Sequence, residues 1–192
     1  MAAPQASKDD IIDRLFTVFR DRGFEGASIA DLSRATGLGK SSLYHHFPEG
    51  KEQMAQAVLE RATAMIDRDI LGAAQASGTL KARIRRIVST LDQIYSGGRT
   101  PCVLGQLATS SIGTDAKGGL HVAFGHWIEA IEALARESGM PPVKARHFAE
   151  DWIARVQGAL ILQAANGDTS PYRRAMSALL ELSRDDTARN PG

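Results

Sequence analysis

Residues 28–51, Ser28-Ile29-Ala30-Asp31-Leu32-Ser33-Arg34-Ala35-Thr36-Gly37-Leu38-Gly39-Lys40-Ser41-Ser42-Leu43-Tyr44-His45-His46-Phe47-Pro48-Glu49-Gly50-Lys51, decide how the 192-residue chain is read. Ser28 followed by Asp31 forms a capping box, because the serine oxygen and the carboxylate each satisfy an orphan backbone donor at a helix start. That helix ends near Thr36. Gly37 supplies the left-handed backbone of a sharp turn, Leu38 plugs the corner, and Gly39 is a permissive cap for a further helix reaching Phe47. On this last helix Leu43 and Phe47 lie four residues apart on one face, while Lys40, Ser41, Tyr44 and His45 gather on the opposite one. The inner pair anchors the helix and the outer set is turned toward a partner.

A helix with short hydroxyls and a basic residue near its N-terminus can enter the major groove of B-DNA, where base edges carry a distinguishable donor and acceptor pattern. Lys40, Ser41 and Ser42 are the candidates nearest base edges. With its hydroxyl-capped helix, Gly-Leu turn and Leu43-Tyr44-His45-His46-Phe47 ending, the stretch resembles the DNA-binding motif of the tetracycline-repressor (TetR) family. The match runs over about 11–59, and beyond it the chain is similar to that family only in length and helical character.

The resemblance implies that Tyr44 and His45 mix base and backbone contacts, and that Ser28, His46 and Lys51 hold phosphates on either side of the groove. Phosphate contacts fix register without reading sequence. Three positions depart from the family pattern: Gly39 where a hydroxyl cap is common, Ser33 where alanine usually packs, and one extra residue in Pro48-Glu49-Gly50, which bears on the reach of Lys51. The competing reading makes Tyr44, His45 and His46 ordinary surface residues of a helical hairpin.

Working outward, a first helix over 8–22 is capped by Ser7, carries Asp9 and Asp10 in its first turn, buries Ile12, Leu15, Phe16 and Phe19, and stops at Gly23. Downstream, Pro48-Glu49-Gly50 breaks the chain before a connecting helix over 51–71, and 72–78 reads as a loop. Helices are expected over 80–95, 103–112, 117–138, 143–165 and 171–184, separated by Gly97-Gly98, Gly113, 139–142 and Asn166-Gly167. Strict two-residue alternation is found nowhere. The chain is therefore all-α with about nine helices: residues 1–50 form a helix-turn-helix DNA-binding domain and 51–192 a helical effector-binding and dimerisation domain. The tail over 185–192 is expected to fray.

Composition narrows the function classes. A hydrophobic fraction of 43% and a charged fraction of 23% suit a soluble globular protein. No run approaches the roughly 18 apolar residues of a membrane helix, and the polar start over 1–10 lacks a signal peptide's apolar centre, so the cytoplasm is the expected compartment. A net charge of +1 excludes coating of nucleic acid by bulk charge. Between Leu32 and Lys51 the local charge is only +2, so two copies are needed for useful affinity.

Chemistry-bearing side chains are sparse. The single Cys102 excludes an internal disulfide or CxxC site; it reads as a buried structural thiol, with a thiol sensor beside Pro101 as the alternative. His121 and His126 fall about 140° apart around a helix, and His147 with Asp151 is a lone pair. No metal, cofactor or catalytic site is expected. Lys81, Arg83, Arg85 and Arg86 read as the solvated side of an amphipathic helix.

One recognition helix reads few base pairs, so specificity requires a twofold dimer with its readers about 34 Å apart. The smooth stretch containing Gly158, Leu160 and Ile161, with Tyr172, Met176, Leu179 and Leu180, is the expected interface, in keeping with the intersubunit four-helix bundle that the resemblance implies. The alternative is that these residues fill the subunit's own core. Leu91, Ile94, Tyr95, Leu104, Leu107, Phe124, Trp127, Ile128, Phe148, Trp152 and Val156, with His121 and Gln157 as polar anchors, are the expected lining of an effector pocket. Each is by itself more often plain core. The resulting expectation is a repressor released from a palindromic operator by a small apolar or aromatic effector, against the alternatives of a protein-binding adaptor or a small enzyme.

Overall fold

The computed structural model describes residues 7–183, so the tail over 185–192 and the first six residues lie outside it. Nine α-helices of six or more residues and no strand occur among the described residues: α1 (Lys8–Gly26), α2 (Ile29–Thr36), α3 (Lys40–His46), α4 (Lys51–Ile66), α5 (Leu80–Ile94), α6 (Val103–Ala108), α7 (Thr114–Glu137), α8 (Pro142–Asn166) and α9 (Ser170–Glu181). The chain divides into two compact units, one holding residues up to Thr63 with Val103–Ala123, the other Ala64–Cys102 with the residues from Phe124 onward.

In the first unit α1 opens with a complete capping box between Ser7 and Asp10. Its inner stripe is Ile11, Leu15 and Phe19, all fully buried. The expected stripe was one residue out of register at its start, since Ile12 and Phe16 are only half-buried on its flank. Gly23 breaks the helical path with φ 68° and ψ −178°. The break lets Phe24 fold back, stacking on Phe19 with centroids 6.1 Å apart. Leu32, Leu43, Phe47, Met54, Val58 and Leu59 complete this core.

The first compact unit extends past Gly50. The chain up to Thr63 stays with the first unit, where Arg61 pairs with Asp13 at 2.9 Å. So does Val103–Ala123, whose α6 packs along α1. Here the Glu25 carboxylate accepts the Ser111 N–H at 2.6 Å, and Glu52 accepts that of Gly113 at 3.1 Å. Sequence distance hides these pairings, because nothing local marks Val103–Ala123 as a cover for α1.

In the second unit the helical path of α4 continues past Ile66 through a π turn, Asp67–Leu71, and one further α turn, Gly72–Gln75. Much of the expected loop over 72–78 is thus helical. Asp67 lies 2.6 Å from Nδ1 of His126 on α7. α5 starts at the Thr79 cap and buries Leu80, Ile84, Ile87, Val88 and Leu91. Lys81, Arg85 and Arg86 are solvated, but Arg83 is not: it donates to the Ala74 carbonyl at 2.6 Å and pairs with Glu137.

The second core is aromatic. Trp127 on α7 meets Trp152 on α8 edge to face at 6.3 Å, and Phe124 stacks on Trp127 at 6.4 Å. The Trp152 indole N–H donates to the Ala175 carbonyl at 2.7 Å, which ties α8 to α9. Tyr172 on α9 is fully buried with Tyr95 against it, and the Tyr95 hydroxyl donates to Cys102 Sγ at 3.3 Å. Burial, then the neighbouring Cys102, pushes the Tyr95 phenol well above its ordinary range.

Candidate nucleic-acid interface

Local sequence chemistry builds the α2–α3 pair. Ser28 and Asp31 complete their capping box, the Ser28 hydroxyl lying 2.6 Å from the carboxylate. That hydrogen bond, followed by the Ser28 backbone N–H and the charges of Arg22 and Arg34, holds the Asp31 carboxyl below its usual range. Gly37 takes up left-handed backbone at φ 73° and ends α2. Arg14 on α1 donates to the Thr36 carbonyl at 2.7 Å, so the end of α2 is held from a second helix.

Two of the departures from the family pattern find a structural role here. Ser33 donates to the Leu38 carbonyl across the turn, a bond that alanine could not make. Gly39 caps α3 with extended backbone at φ −65° and no side-chain bond.

α3 is seven residues long and its two faces are sharply divided. Leu43 is 0% exposed and Phe47 1%. Lys40, Ser41, Ser42, Tyr44 and His45 are all exposed, as is Ser28 at the cap of α2. His46 is half-buried, its ring 5.8 Å from His45 and 6.4 Å from Phe47. Lys51 is half-buried too, with Nζ 4.4 Å from the centroid of Phe24, a cation–π arrangement that ties up its ammonium. Such a surface offers the Lys40 ammonium, the Ser41 and Ser42 hydroxyls, a phenol and an imidazole in a small area, a donor-rich set suited to base edges and phosphates.

The other expected sites are more scattered. Leu91, Tyr95, Trp127, Trp152 and Val156 are buried in the second unit, where Ile94, Phe124, Ile128, Phe148 and Gln157 are half-buried. Leu104 and Leu107 are buried in the first unit instead. His121 also belongs to the first unit and is exposed. The indole N–H of Trp127 and the side-chain nitrogen of Gln157 are buried without a hydrogen-bond partner.

Of the expected interface residues, Leu160, Tyr172, Met176 and Leu179 are buried inside their own subunit. α9 packs on α8 and α5, with Tyr172 edge to face against Tyr95. Gly158 and Leu180 are half-buried, whereas Ile161 is 69% exposed and the neighbouring Leu162 49%. A groove of about 450 Å³ runs between α8 and α9, lined by Arg155, Gly158, Leu162, Pro171 and Arg174 among others.

Comparisons with known proteins match two stretches of the chain. Residues 11–58 match the model of bacterial regulatory proteins of the tetR family, and residues 76–178 match that of the LmrA/YxaF-like transcriptional regulator C-terminal domain. The HTH-type transcriptional regulator LmrA of Bacillus subtilis is 23% identical over 180 residues, covering 92% of this chain and 96% of the relative. The HTH-type transcriptional repressor KstR2 of Mycolicibacterium smegmatis is 38% identical over 56 residues, 29% of this chain and 27% of its own. Among solved structures, a TetR transcriptional regulator from Legionella pneumophila superposes with a TM-score of 0.83 at 19% identity, covering 95% of this chain and all of that one. The regulator FadR of Bacillus subtilis, solved with stearoyl-CoA, has a TM-score of 0.70 at 13% identity, with 93% of this chain and 98% of that chain covered.

Proposed function

Because the chain belongs to the TetR family of bacterial regulatory proteins and is a DNA-binding transcriptional regulator, we propose that it acts in the cytoplasm as a homodimeric repressor of a palindromic operator, released by a small apolar or aromatic effector. The observation that carries this reading is the division of α3: Leu43 and Phe47 are sealed in the core while Lys40, Ser41, Ser42, Tyr44 and His45 stay open to solvent. Lys40, Ser41 and Ser42 read base edges, Tyr44 and His45 contact both bases and backbone, and Ser28 and His46 hold phosphates. Lys51 reaches a phosphate only by leaving the Phe24 ring.

Repression needs no more than occupancy of a promoter, and relatives named as a repressor and a negative regulator are similar to this chain over 56 and 51 residues. Residues 1–50 act as the reader and 51–192 carry effector binding and dimerisation. Two copies associate through the exposed Ile161 and Leu162 beside the α8–α9 groove, with the buried Tyr172, Met176 and Leu179 stiffening that surface from behind. The effector is received among Phe124, Trp127, Phe148 and Trp152, where the unpaired Trp127 N–H and Gln157 amide favour a flat apolar body carrying hydrogen-bond acceptors. Such a molecule releases DNA only if it prefers the state that does not fit the operator.

The test combines light scattering of the purified chain with duplex binding in the presence and absence of aromatic carboxylates and acyl thioesters. The reading expects a dimer, and one compound class that lowers operator affinity at least tenfold. A monomer that binds no duplex more tightly than a scrambled one contradicts it.

A further inference from the structure

Gly50, beyond the end of α3, lies against a side chain of its exposed face. Tyr44 is 39% exposed, and Lys40 and Gly50 lie beside its ring. Lys40, one turn earlier, places Nζ 5.9 Å from the ring centroid, at the outer edge of cation–π range. Gly50 closes the Pro48-Glu49-Gly50 turn with φ +71° and is itself buried. A Cβ on Gly50 would stand 3.2 Å from Cε1 of Tyr44 and 3.8 Å from its hydroxyl oxygen, so the ring would have to give way by a few tenths of an ångström. The turn cannot easily yield instead. The Gly50 N–H donates to the Phe47 carbonyl at 2.9 Å, and the Gly50 carbonyl accepts the Met54 N–H at 3.1 Å, binding the end of α3 to the start of α4.

We propose that Gly50 is a positioning residue for operator recognition: by seating the edge of the Tyr44 ring it fixes Tyr44, and through it Lys40, in one arrangement on the reading face. The proposal rests on the DNA-reading role of α3. Ordering two long side chains before the operator arrives removes part of the entropic penalty of binding, and it does so only where both must meet particular base edges. Binding to DNA of arbitrary sequence follows the number of cations, which Gly50 does not change. Gly50 therefore governs discrimination between sequences and leaves the background affinity alone.

The experiment uses the full-length protein, a duplex enriched by it from a random library, and a scrambled duplex of equal composition. Anisotropy titrations and thermal unfolding are measured for the parent, Gly50→Ala, Gly50→Asn, Tyr44→Ala and the Gly50→Ala/Tyr44→Ala double variant. Asparagine tolerates positive φ but still carries the intruding Cβ, which separates backbone strain from loss of the seat. The expected result is a drop of about three- to tenfold in the selected-to-scrambled affinity ratio for both Gly50 variants, with scrambled binding unchanged and no further loss when Tyr44 is already alanine. The proposal is overturned if the ratio holds, if Gly50→Ala costs as much without Tyr44 as with it, or if both duplexes weaken together in step with a lowered Tm. Should the parent protein enrich no duplex at all, the reading of α3 fails first and the role of Gly50 falls with it.

Discussion

α3 and α8 bury apolar residues in opposite ways. The seven residues of α3 make two turns, and two anchors, Leu43 and Phe47, are enough to commit one side to the core. The rest of it is exposed, apart from the half-buried His46. The 25 residues of α8 carry apolar side chains nearly all the way round, and most of them, with Trp152 and Ile153 at the centre, are taken up by the helices of the same unit. Only Ile161 and Leu162 remain large, apolar and uncovered at its C-terminal end. A short helix exposes what it does not bury, whereas a long helix divides its apolar surface among several claimants.

The largest expected effects break each region at its anchor. Trp152→Ala removes a fully buried ring and the hydrogen bond to Ala175, and should destabilise the second unit by about 3–5 kcal/mol; Leu43→Ala should cost about 2–5 kcal/mol in the first. Both are read from denaturant unfolding. The contrast is sharpened if Leu43→Ala abolishes duplex binding while the oligomeric state persists, and it is blunted if the oligomer dissociates too.

Next in size is Ile161→Glu. This side chain is 69% exposed in the subunit, so a charge there should leave the unfolding of the isolated subunit nearly unchanged. If two copies meet at this surface, the dimer should weaken at least tenfold, about 1.4 kcal/mol or more, in sedimentation equilibrium. Met176→Glu gives the reverse pattern, loss of folding before loss of association, because Met176 is buried. Equal association by Ile161→Glu and the parent would move the interface elsewhere.

A smaller effect is expected at acid pH. The Asp31 carboxyl is held below its ordinary 3.8, chiefly by the Ser28 hydroxyl. Such a group contributes its stability fully above the unfolded value and loses it as pH falls through the lowered folded value. Asp31→Asn should therefore flatten the acid limb of the Tm-versus-pH curve, a change that a thermal melt series through the acid range detects. An unchanged limb would show that the capping box is not acid-linked.

The sequence was most legible where a signal is local. Ser28 with Asp31, Gly37, and Leu43 with Phe47 each act within a few residues, and each is found as expected. Helix positions were readable for the same reason, since caps and breakers lie next to the turns they make. What escaped depends on distant partners. Nothing near Leu104 or Leu107 announces that α6 lies on α1, and nothing in Tyr172-Arg173-Arg174-Ala175-Met176 says whether its apolar side meets the same subunit or another. The helical continuation past Ile66 was missed because Gly72 and the small residues after it look like a loop until the π turn carries the helix into them. Gly50 was visible only as part of a helix break, and its bearing on Tyr44 requires coordinates.

The reading surface of α3 is tested most directly by selecting duplexes from a random library with the full-length protein and then titrating the enriched duplex with the parent and with Lys40→Ala/Tyr44→Ala. The expected result is an inverted repeat bound by two subunits, and at least a hundredfold weaker binding by the double variant, about 2.7 kcal/mol, with Tm and oligomeric state preserved. An enriched duplex that the double variant binds as tightly as the parent would contradict the assignment of α3 as the DNA reader.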